Sequence, residues 1–159
     1  MSKNEDLLNN IDGRCNCLAA RQASRFLTAV YDQALAPVEL RITQFSILHK
    51  LVDLGALVMG DLAARMAMDR TTLSANLKPL QRDGLIEMRA GKDRRVREVL
   101  VTKDGIARYK NALPLWWTVQ NKFEDSYGNT PAAELRDAMR AVLRTGFEPW
   151  EYGENDTRK

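Results

Sequence analysis

The side chains best suited to chemistry in this sequence are cationic and hydroxylated groups that lie close together in the middle of the chain. Between Arg89 and Arg97 there are five basic residues and one acidic residue. Shortly before them, the stretch Arg70–Ser74 is rich in hydroxyl groups, and Lys78 follows it. Guanidinium and ammonium groups neutralise phosphates, whereas hydroxyl groups donate to or accept from base edges. These residue types therefore support recognition of a nucleic acid.

The distribution of charge along the chain points the same way. The net charge is only +3, but residues 65–108 hold 11 Lys and Arg against 6 Asp and Glu. The two flanking stretches are slightly acidic, with 6 against 7 over residues 1–64 and 7 against 8 over residues 109–159. A basic centre between acidic flanks is typical of a polyanion site. Charge alone slightly favours a solvated charged surface, so a polyanion site is predicted only together with the elements that carry these residues.

Length and composition favour a cytoplasmic globular protein. The 159 residues, 45% of them hydrophobic and 28% charged, suit one domain with or without appended dimerisation helices. Apolar runs are too short for a membrane span, and Met1–Asn10 lacks the apolar stretch of a signal peptide. Two cysteines, Cys15 and Cys17, are too few for a disulfide framework.

Hydrophobic spacing predicts three helices in the first part of the chain. Apolar residues recur at helical spacing over about Cys15–Leu35. A second helix is predicted to begin at a Thr43 cap and to end at Gly55. A short helix over about residues 60–66 follows, although Val58, just before it, has no side chain that could cap it.

A capped helix and two strands follow in the basic centre. Asp69 is a good cap for a helix over residues 70–82, and Gly84 is suited to end it. The apolar stripe of this helix consists of Leu73, Leu77 and Leu80. Two strand-like runs, 85–89 and 96–101, are joined by a basic turn that contains glycine. The sequence therefore predicts a helix-turn-helix with a two-stranded wing.

Two further helices complete the predicted fold, which is mainly α with a small β-hairpin wing. Thr102 is predicted to cap a helix that runs to about Tyr127, and the last helix is predicted to have a Thr130 cap and to end at Gly146. Together with the first helix, they carry more apolar surface than the helix-turn-helix and its wing can cover, which favours a homodimer. A twofold dimer spaces its DNA-contacting helices by about 34 Å, so the expected operator is an imperfect palindrome.

The helix-turn-helix interpretation assigns roles to individual side chains. The second helix of such a pair enters the major groove with its N-terminus first. An arginine on a thin hairpin can enter the electronegative minor groove. The candidate DNA-binding residues are Arg70, Thr71, Thr72, Ser74, Ala75, Lys78, Arg94, Arg95 and Arg97.

Several segments together resemble the MarR family, the multiple-antibiotic-resistance regulators, over about residues 15–147. They are Leu35-Ala36-Pro37 with Thr43-Gln44-Phe45, Leu62–Met66, Arg82–Ile86, Asp93-Arg94-Arg95 and Val99–Gly105. The resemblance implies a homodimeric winged-helix transcriptional regulator, often a repressor that a small molecule or an oxidant releases. It also implies that Arg95 reaches the minor groove while Asp93 orients the wing. Val58 stands where the family often has a capping Thr, and Ala75 where it often has a larger base-contacting residue.

The resemblance divides the chain into functional parts. The family domain would span residues 15–147, with the winged helix-turn-helix at 40–105. The dimerisation helices would lie at 15–36 and 106–147, and residues 1–14 and 148–159 would be flexible tails. The partners it implies are double-stranded DNA and a second copy of the chain, without a membrane or a cofactor.

Two alternative effectors are compatible with the sequence. Cys17 resembles in position the reactive cysteine of the hydroperoxide-sensing branch, and Tyr31 resembles one of its thiol-contacting tyrosines. A helix N-terminus favours thiolate chemistry. The alternative is that Cys15 and Cys17 are inert, partly buried thiols. Metal binding by these two thiols is weakly supported, because the chain has one histidine.

The second alternative is a small phenol or aromatic acid. Its predicted pocket is lined by Phe45, His49, Trp116 and Trp117. The same residues would also suit an aromatic core or a dimer contact.

Two other function classes find little support. The sequence has no glycine-rich phosphate loop, no metal-ligand spacing and no nucleophile elbow, and its one histidine is unfavourable for acid–base chemistry, so an enzyme is not predicted. A protein-binding module that has lost DNA binding would not need Thr71, Lys78 and Arg95 to remain polar or basic.

Overall fold

The computed structural model describes residues 11–91 and 95–146, so Arg94 of the predicted DNA-binding set lies outside the described residues. In chain order the elements are α1 (Ile11–Arg14), α2 (Asn16–Leu35), a 3₁₀ turn (Ala36–Val38), α3 (Ile42–Leu54), β1 (Leu57–Val58), α4 (Met59–Arg65), α5 (Arg70–Arg82), β2 (Ile86–Ala90), β3 (Arg97–Val101), α6 (Lys103–Tyr127) and α7 (Asn129–Val142). The mainly α fold with a small sheet is the predicted one. No helix within the described part is long and apolar enough to cross a membrane.

The chain divides into two compact units, residues 1–119 and 120–159. The first unit holds the core, in which α3, α4, α5 and the sheet bury their apolar faces. The side chains with at most 2% of their surface exposed include Ile47, Leu48, Leu51, Leu62, Leu73, Leu77, Leu80, Ile86 and Val99. Burying a Leu or Ile side chain stabilises the fold by about 1.5–3 kcal/mol, so this cluster fixes the placement of α5 and the wing.

The second unit contains the end of α6 and the helix α7. Glu124 accepts hydrogen bonds from Gln120 at 2.7 Å and from Arg136 at 2.6 Å. These bonds hold the pKa of the Glu124 carboxyl below its usual range. Phe123 and Tyr127 stack one turn apart, with ring centroids 5.5 Å from each other.

The sheet has three antiparallel strands in the order β1-β3-β2, whereas the sequence analysis predicted two. The additional strand is β1, where Leu57 pairs with Val99 and Val58 with Glu98. Two residues are too few to show the alternation that identifies a strand, so this pairing could not be recognised locally. Val58 occupies the N-cap position of α4 without a side-chain cap, as predicted.

Two predicted helix caps are wrong. Thr43 does not cap α3, which begins at Ile42 after the N-cap Arg41. Instead, Asp32 of α2 accepts a hydrogen bond from the backbone N–H of Ile42 at 2.7 Å and contacts the Arg41 guanidinium at 3.0 Å. A cap supplied from another helix is invisible to a search for Ser, Thr, Asp or Asn next to the helix start.

The second wrong cap concerns α7. This helix begins at Asn129, and its N-cap is Gly128 with a positive φ of 98°. Thr130 is therefore already inside the helix, one position beyond its start. A left-handed glycine allows the chain to turn between α6 and α7 without a capping side chain.

Candidate nucleic-acid interface

The first turn of α5 is organised by Asp69, as the sequence predicted. The Asp69 carboxylate accepts the backbone N–H of Thr72 at 2.7 Å and the Thr72 hydroxyl at 2.7 Å. These two bonds lower the pKa of the Asp69 carboxyl. At the other end, Gly84 has a φ of +70°, which ends the helix where it was predicted to end.

The two faces of α5 differ sharply in exposure. The apolar stripe of Leu73, Leu77 and Leu80 is buried at 2% exposure or less. The predicted DNA-binding residues of this helix are all exposed, namely Arg70, Thr71, Thr72, Ser74, Ala75 and Lys78. The helix is therefore held on one side by the core and presents a continuous polar surface to solvent on the other.

The wing next to α5 is a β-hairpin. Strands β2 and β3 pair from Ile86↔Val101 to Ala90↔Arg97, and the backbone N–H of Gly91 donates to the Val96 carbonyl at 2.8 Å. Arg95 and Arg97 are exposed near its tip.

A cross-strand ion pair lies at the base of these arginines. Arg89 faces its register partner Glu98, and its Nε lies 3.1 Å from the Glu98 carboxylate. The pair is partly exposed, so its contribution to stability is small. It does fix one of the wing cations in place, whereas Arg97 has no ion pair among those found in the described residues.

A cleft of about 1000 Å³ that was not predicted from the sequence lies beside α5. Its lining residues come from α2, the 3₁₀ turn and its flanks, α3, α5 and α6. The charged ones are Asp32, Glu39, Arg41, Arg82, Asp83 and Arg108. Each arginine has a carboxylate partner: Arg41 has Asp32 at 3.0 Å, Arg82 has Asp83 at 2.8 Å and Arg108 has Glu39 at 3.3 Å. Only the Arg108–Glu39 pair joins residues distant in sequence, 69 positions apart. The cleft was not apparent from spacing because its lining comes from elements that are separate in the sequence.

Ala75 and Asn76 of α5 also line this cleft. Ala75 was a predicted DNA-binding residue, but Asn76 was not. The Asn76 side chain donates from Nδ2 to the Thr72 carbonyl at 2.8 Å. An asparagine that bonds to its own helix is hard to distinguish by sequence from one that points to solvent.

The predicted aromatic pocket residues do lie together, but they form a stacked cluster. Phe45 stacks on Tyr109 at 5.2 Å and on Trp116 at 6.0 Å, and Trp116 meets Trp117 edge-on at 4.8 Å. His49 reaches the same cluster, with its Nδ1 2.8 Å from the Tyr109 hydroxyl. Burial raises the pKa of Tyr109, and the charge of Asp53 adds to this effect.

None of the four predicted pocket residues lines the 1000 Å³ cleft. Tyr109, the residue at the centre of the aromatic cluster, was absent from the prediction. It lies on α6, about two helical turns before the tryptophans, and only the packing of α6 against α3 brings it to Phe45 and His49.

The two cysteines occupy different environments at the start of α2. Cys15 is the N-cap, and its Sγ accepts the backbone N–H of Leu18 at 3.3 Å. Cys17 is exposed in the first turn. Tyr31 lies on the same helix but 14 residues later, which corresponds to about 21 Å along the axis. The Tyr31 hydroxyl therefore cannot contact Cys17 of its own chain.

Among residues 11–91 and 95–146, no group of three or more His, Cys, Asp or Glu could hold a metal ion.

Comparison with known proteins places this geometry in context. A family model described as MarR family matches residues 40–96. The transcriptional regulator MosR of M. tuberculosis, solved in complex with DNA, is 38% identical with a TM-score of 0.69, and the match covers 81% of this chain and 98% of that one.

Two more distant proteins extend the comparison. An uncharacterized HTH-type transcriptional regulator of Bacillus subtilis (strain 168), YwoH, is 25% identical over 89 residues; the match covers 56% of this chain and 65% of that regulator's length. The PcaV transcriptional regulator from Streptomyces coelicolor, solved with its natural ligand, has a TM-score of 0.75 at 18% identity, covering 85% of this chain and 96% of that one. At that identity the likeness shows the fold alone.

Proposed function

The chain belongs to the MarR family, and on that premise we propose that it is a homodimeric repressor that binds a pseudo-palindromic DNA operator. Helix α5 lies in the major groove and the wing arginines in the minor groove of each half-site. A small aromatic ligand releases the protein from DNA. The observation that carries the proposal is the exposed, capped face of α5 beside a cationic hairpin.

The contacts divide between base edges and phosphates. Thr71, Ser74 and Ala75 lie on the N-terminal half of α5, which enters the major groove first. Arg70 and Lys78 flank them and neutralise phosphates. Arg95 on the hairpin suits the narrow minor groove, whose negative potential attracts a guanidinium group.

A gel-shift experiment with a duplex from upstream of the chain's own gene tests this assignment. Thr71→Ala and Arg95→Ala are each expected to weaken binding about 5-fold to 100-fold, because each removes a contact to a groove. Lys110→Ala removes an exposed cation of α6 and serves as the matched control, with affinity expected to stay within about twofold. Equal affinity of all three variants and the wild type would contradict the assignment.

Dimerisation is supported by apolar side chains that a single chain leaves exposed. In the first unit, Phe26 of α2 is 64% exposed. In the second unit, Val142 and Leu143 at the end of α7 are 67% and 72% exposed. Apolar groups of this size on helices are typical of protein–protein interfaces.

A negative charge introduced on the exposed apolar face of α2 is expected to separate the dimer. Phe26→Glu should raise the dimer dissociation constant by about 30-fold or more, because a buried carboxylate without a partner opposes association. Gln33→Glu, at an exposed position of the same helix, is the control. Sedimentation velocity over a concentration series measures both. A wild type that remains monomeric at micromolar concentration would contradict the dimer.

The effector proposal rests on the aromatic cluster. Its inner rings, Phe45 and Tyr109, are buried, whereas Trp117 is half-exposed and His49 is exposed. A phenol or aromatic acid can therefore stack at the open edge of the cluster and bond to His49. Thermal-shift screening of phenols, followed by gel shift with Trp117→Ala and Trp117→Phe, tests this proposal.

A second candidate is thiol-based sensing by Cys17, and its exposure at the first turn of α2 favours it. The Cys17 thiolate would attack a hydroperoxide oxygen, which yields a sulfenic acid on the protein and an alcohol. Tyr31 lies about 21 Å along the helix from Cys17 of the same chain. A contact between Tyr31 and the Cys17 sulfur therefore requires Tyr31 of the other copy of the chain.

Oxidation followed by gel shift tests the thiol candidate. Hydroperoxide at millimolar concentration is expected to abolish DNA binding by the wild type and to spare Cys17→Ser. Cys15→Ser is the matched control, because a serine hydroxyl can still accept the Leu18 N–H. Equal sensitivity of wild type and Cys17→Ser would remove this candidate.

A further inference from the structure

The hydrogen-bond pattern at the first turn of α5 restricts what this turn can recognise. The Thr72 hydroxyl donates its proton to Asp69 Oδ2 at 2.7 Å, while Asp69 Oδ1 accepts the backbone N–H of Thr72 at 2.7 Å. A hydroxyl group has one proton and two lone pairs. Because the proton is already used, the Thr72 oxygen can only accept hydrogen bonds from outside the protein.

Asp69 reinforces this restriction. An ionised carboxylate has no proton to donate, and the hydrogen bonds from Thr72 lower the pKa of Asp69, which keeps it ionised at neutral pH. Both residues are exposed at the end of α5 that carries the predicted base contacts.

We propose that Asp69 and Thr72 together form an acceptor-only pair that selects a base with a hydrogen-bond donor in the major groove. This inference rests on the proposed function, since it requires α5 to lie in that groove. Adenine offers the N6 amino group and cytosine the N4 amino group, whereas guanine and thymine present only acceptors or a methyl group on their major-groove edges. The selected base is therefore adenine or cytosine.

A phosphate contact is incompatible with the same pair. Phosphate oxygens are anionic acceptors, so they repel the Asp69 carboxylate and find no donor on Thr72. Thr72, considered alone, is a side chain that could donate to a phosphate or to guanine. It is the bond to Asp69 that removes this option, and Asp69 thus determines specificity in addition to capping the helix.

The variant Asp69→Asn tests the proposal because it changes the donors without removing the cap. Asn and Asp are similarly good N-caps, so the amide oxygen can still accept the Thr72 N–H. The amide nitrogen then donates to the Thr72 oxygen, and the hydroxyl proton is free to point outward. The pair is thereby converted from acceptor-only to donor.

The experiment measures affinity for a panel of duplexes in which every base pair of the binding site is varied in turn. Thr72→Val, which keeps the side-chain shape but removes the hydroxyl, identifies the base pair that the hydroxyl contacts. At that position the wild type is expected to favour adenine or cytosine about tenfold over guanine or thymine. Asp69→Asn is expected to abolish or invert that preference. Circular dichroism and melting temperature confirm that both variants fold.

The outcomes separate this inference from the proposed function. If no duplex binds the wild type, the proposed function itself fails. If the wild type binds but Thr72→Val changes no base preference, or if Asp69→Asn keeps the wild-type preference, the proposed function stands and the inference is wrong. A wild-type preference for guanine at the Thr72 position would also overturn it.

Discussion

Raising the salt concentration from about 50 to about 200 mM is expected to weaken DNA binding by the wild type roughly 10⁴-fold. Each protomer presents four candidate cations among the described residues, Arg70, Lys78, Arg95 and Arg97, all of them exposed. A dimer would then bring about eight cations to the DNA, and each releases counterions on binding. The plot of log affinity against log salt should therefore have a slope of about −7.

Charge variants make this prediction specific to the wing and α5. Arg97→Ala removes one cation from each protomer, so the slope should become less negative by about 2. Lys110→Ala removes the same charge from α6 outside the interface and should leave the slope unchanged. Fluorescence anisotropy with a labelled duplex measures both slopes. A wild-type slope near −1, or an equal change in both variants, would contradict the phosphate contacts.

Replacing Gly105 by alanine is expected to destabilise the fold by about 3 kcal/mol, although glycine in a helix is usually less stable than alanine. A Cβ at Gly105 would overlap the Leu85 carbonyl and lie 2.8 Å from Val101 Cγ2. Leu85 cannot move freely, because its carbonyl accepts the N–H of Thr102 at 3.0 Å. The added methyl group would therefore force the start of α6 away from the wing.

Thermal unfolding measures this effect. For a chain of this size, the melting temperature should fall by about 10 °C. Gly60→Ala is the matched control, because a Cβ there meets only Arg70 Nη2 at 3.6 Å, an ordinary contact. Its melting temperature should stay the same or rise slightly. A stabilising effect of Gly105→Ala would show that the close approach of α6 to Leu85 is wrong.

The position of α5 could be predicted from the sequence because its signals are local. Asp69 caps the helix through a residue three positions away, Gly84 follows its end, and the apolar residues repeat at helical spacing. The same holds for the start of α6, where the Thr102 hydroxyl accepts the N–H of Gly105 at 3.0 Å. Family membership and the assignment to regulators, not enzymes, were likewise predicted, and the comparisons confirm both.

The features that the sequence did not reveal depend on residues far apart in the chain. Strand β1 is defined by its pairing with β3 and has no alternation of its own. The cap of α3 comes from Asp32 on the preceding helix, so Thr43 only resembled a cap. Arg108 donates to the Val38 carbonyl at 2.9 Å across 70 positions of sequence. Such contacts form only once the core has set the distance between elements.

The candidate interface shows the same division. Exposure of Thr71, Ala75 and Lys78 followed from helical periodicity, since the opposite stripe had to be buried. The direction of the Thr72 hydroxyl proton could not be predicted in this way, because a hydroxyl group can rotate toward solvent or toward a cap. Only the geometry of Asp69 decides between the two.

Binding of duplex DNA by a dimer of this chain can be tested directly in one measurement. Sedimentation of the full chain with a labelled duplex from upstream of its own gene, at low ionic strength, gives the stoichiometry and the affinity together. Two protomers per duplex, with binding lost on adding salt, is the predicted result. A monomer that sediments apart from the duplex under these conditions would contradict the account.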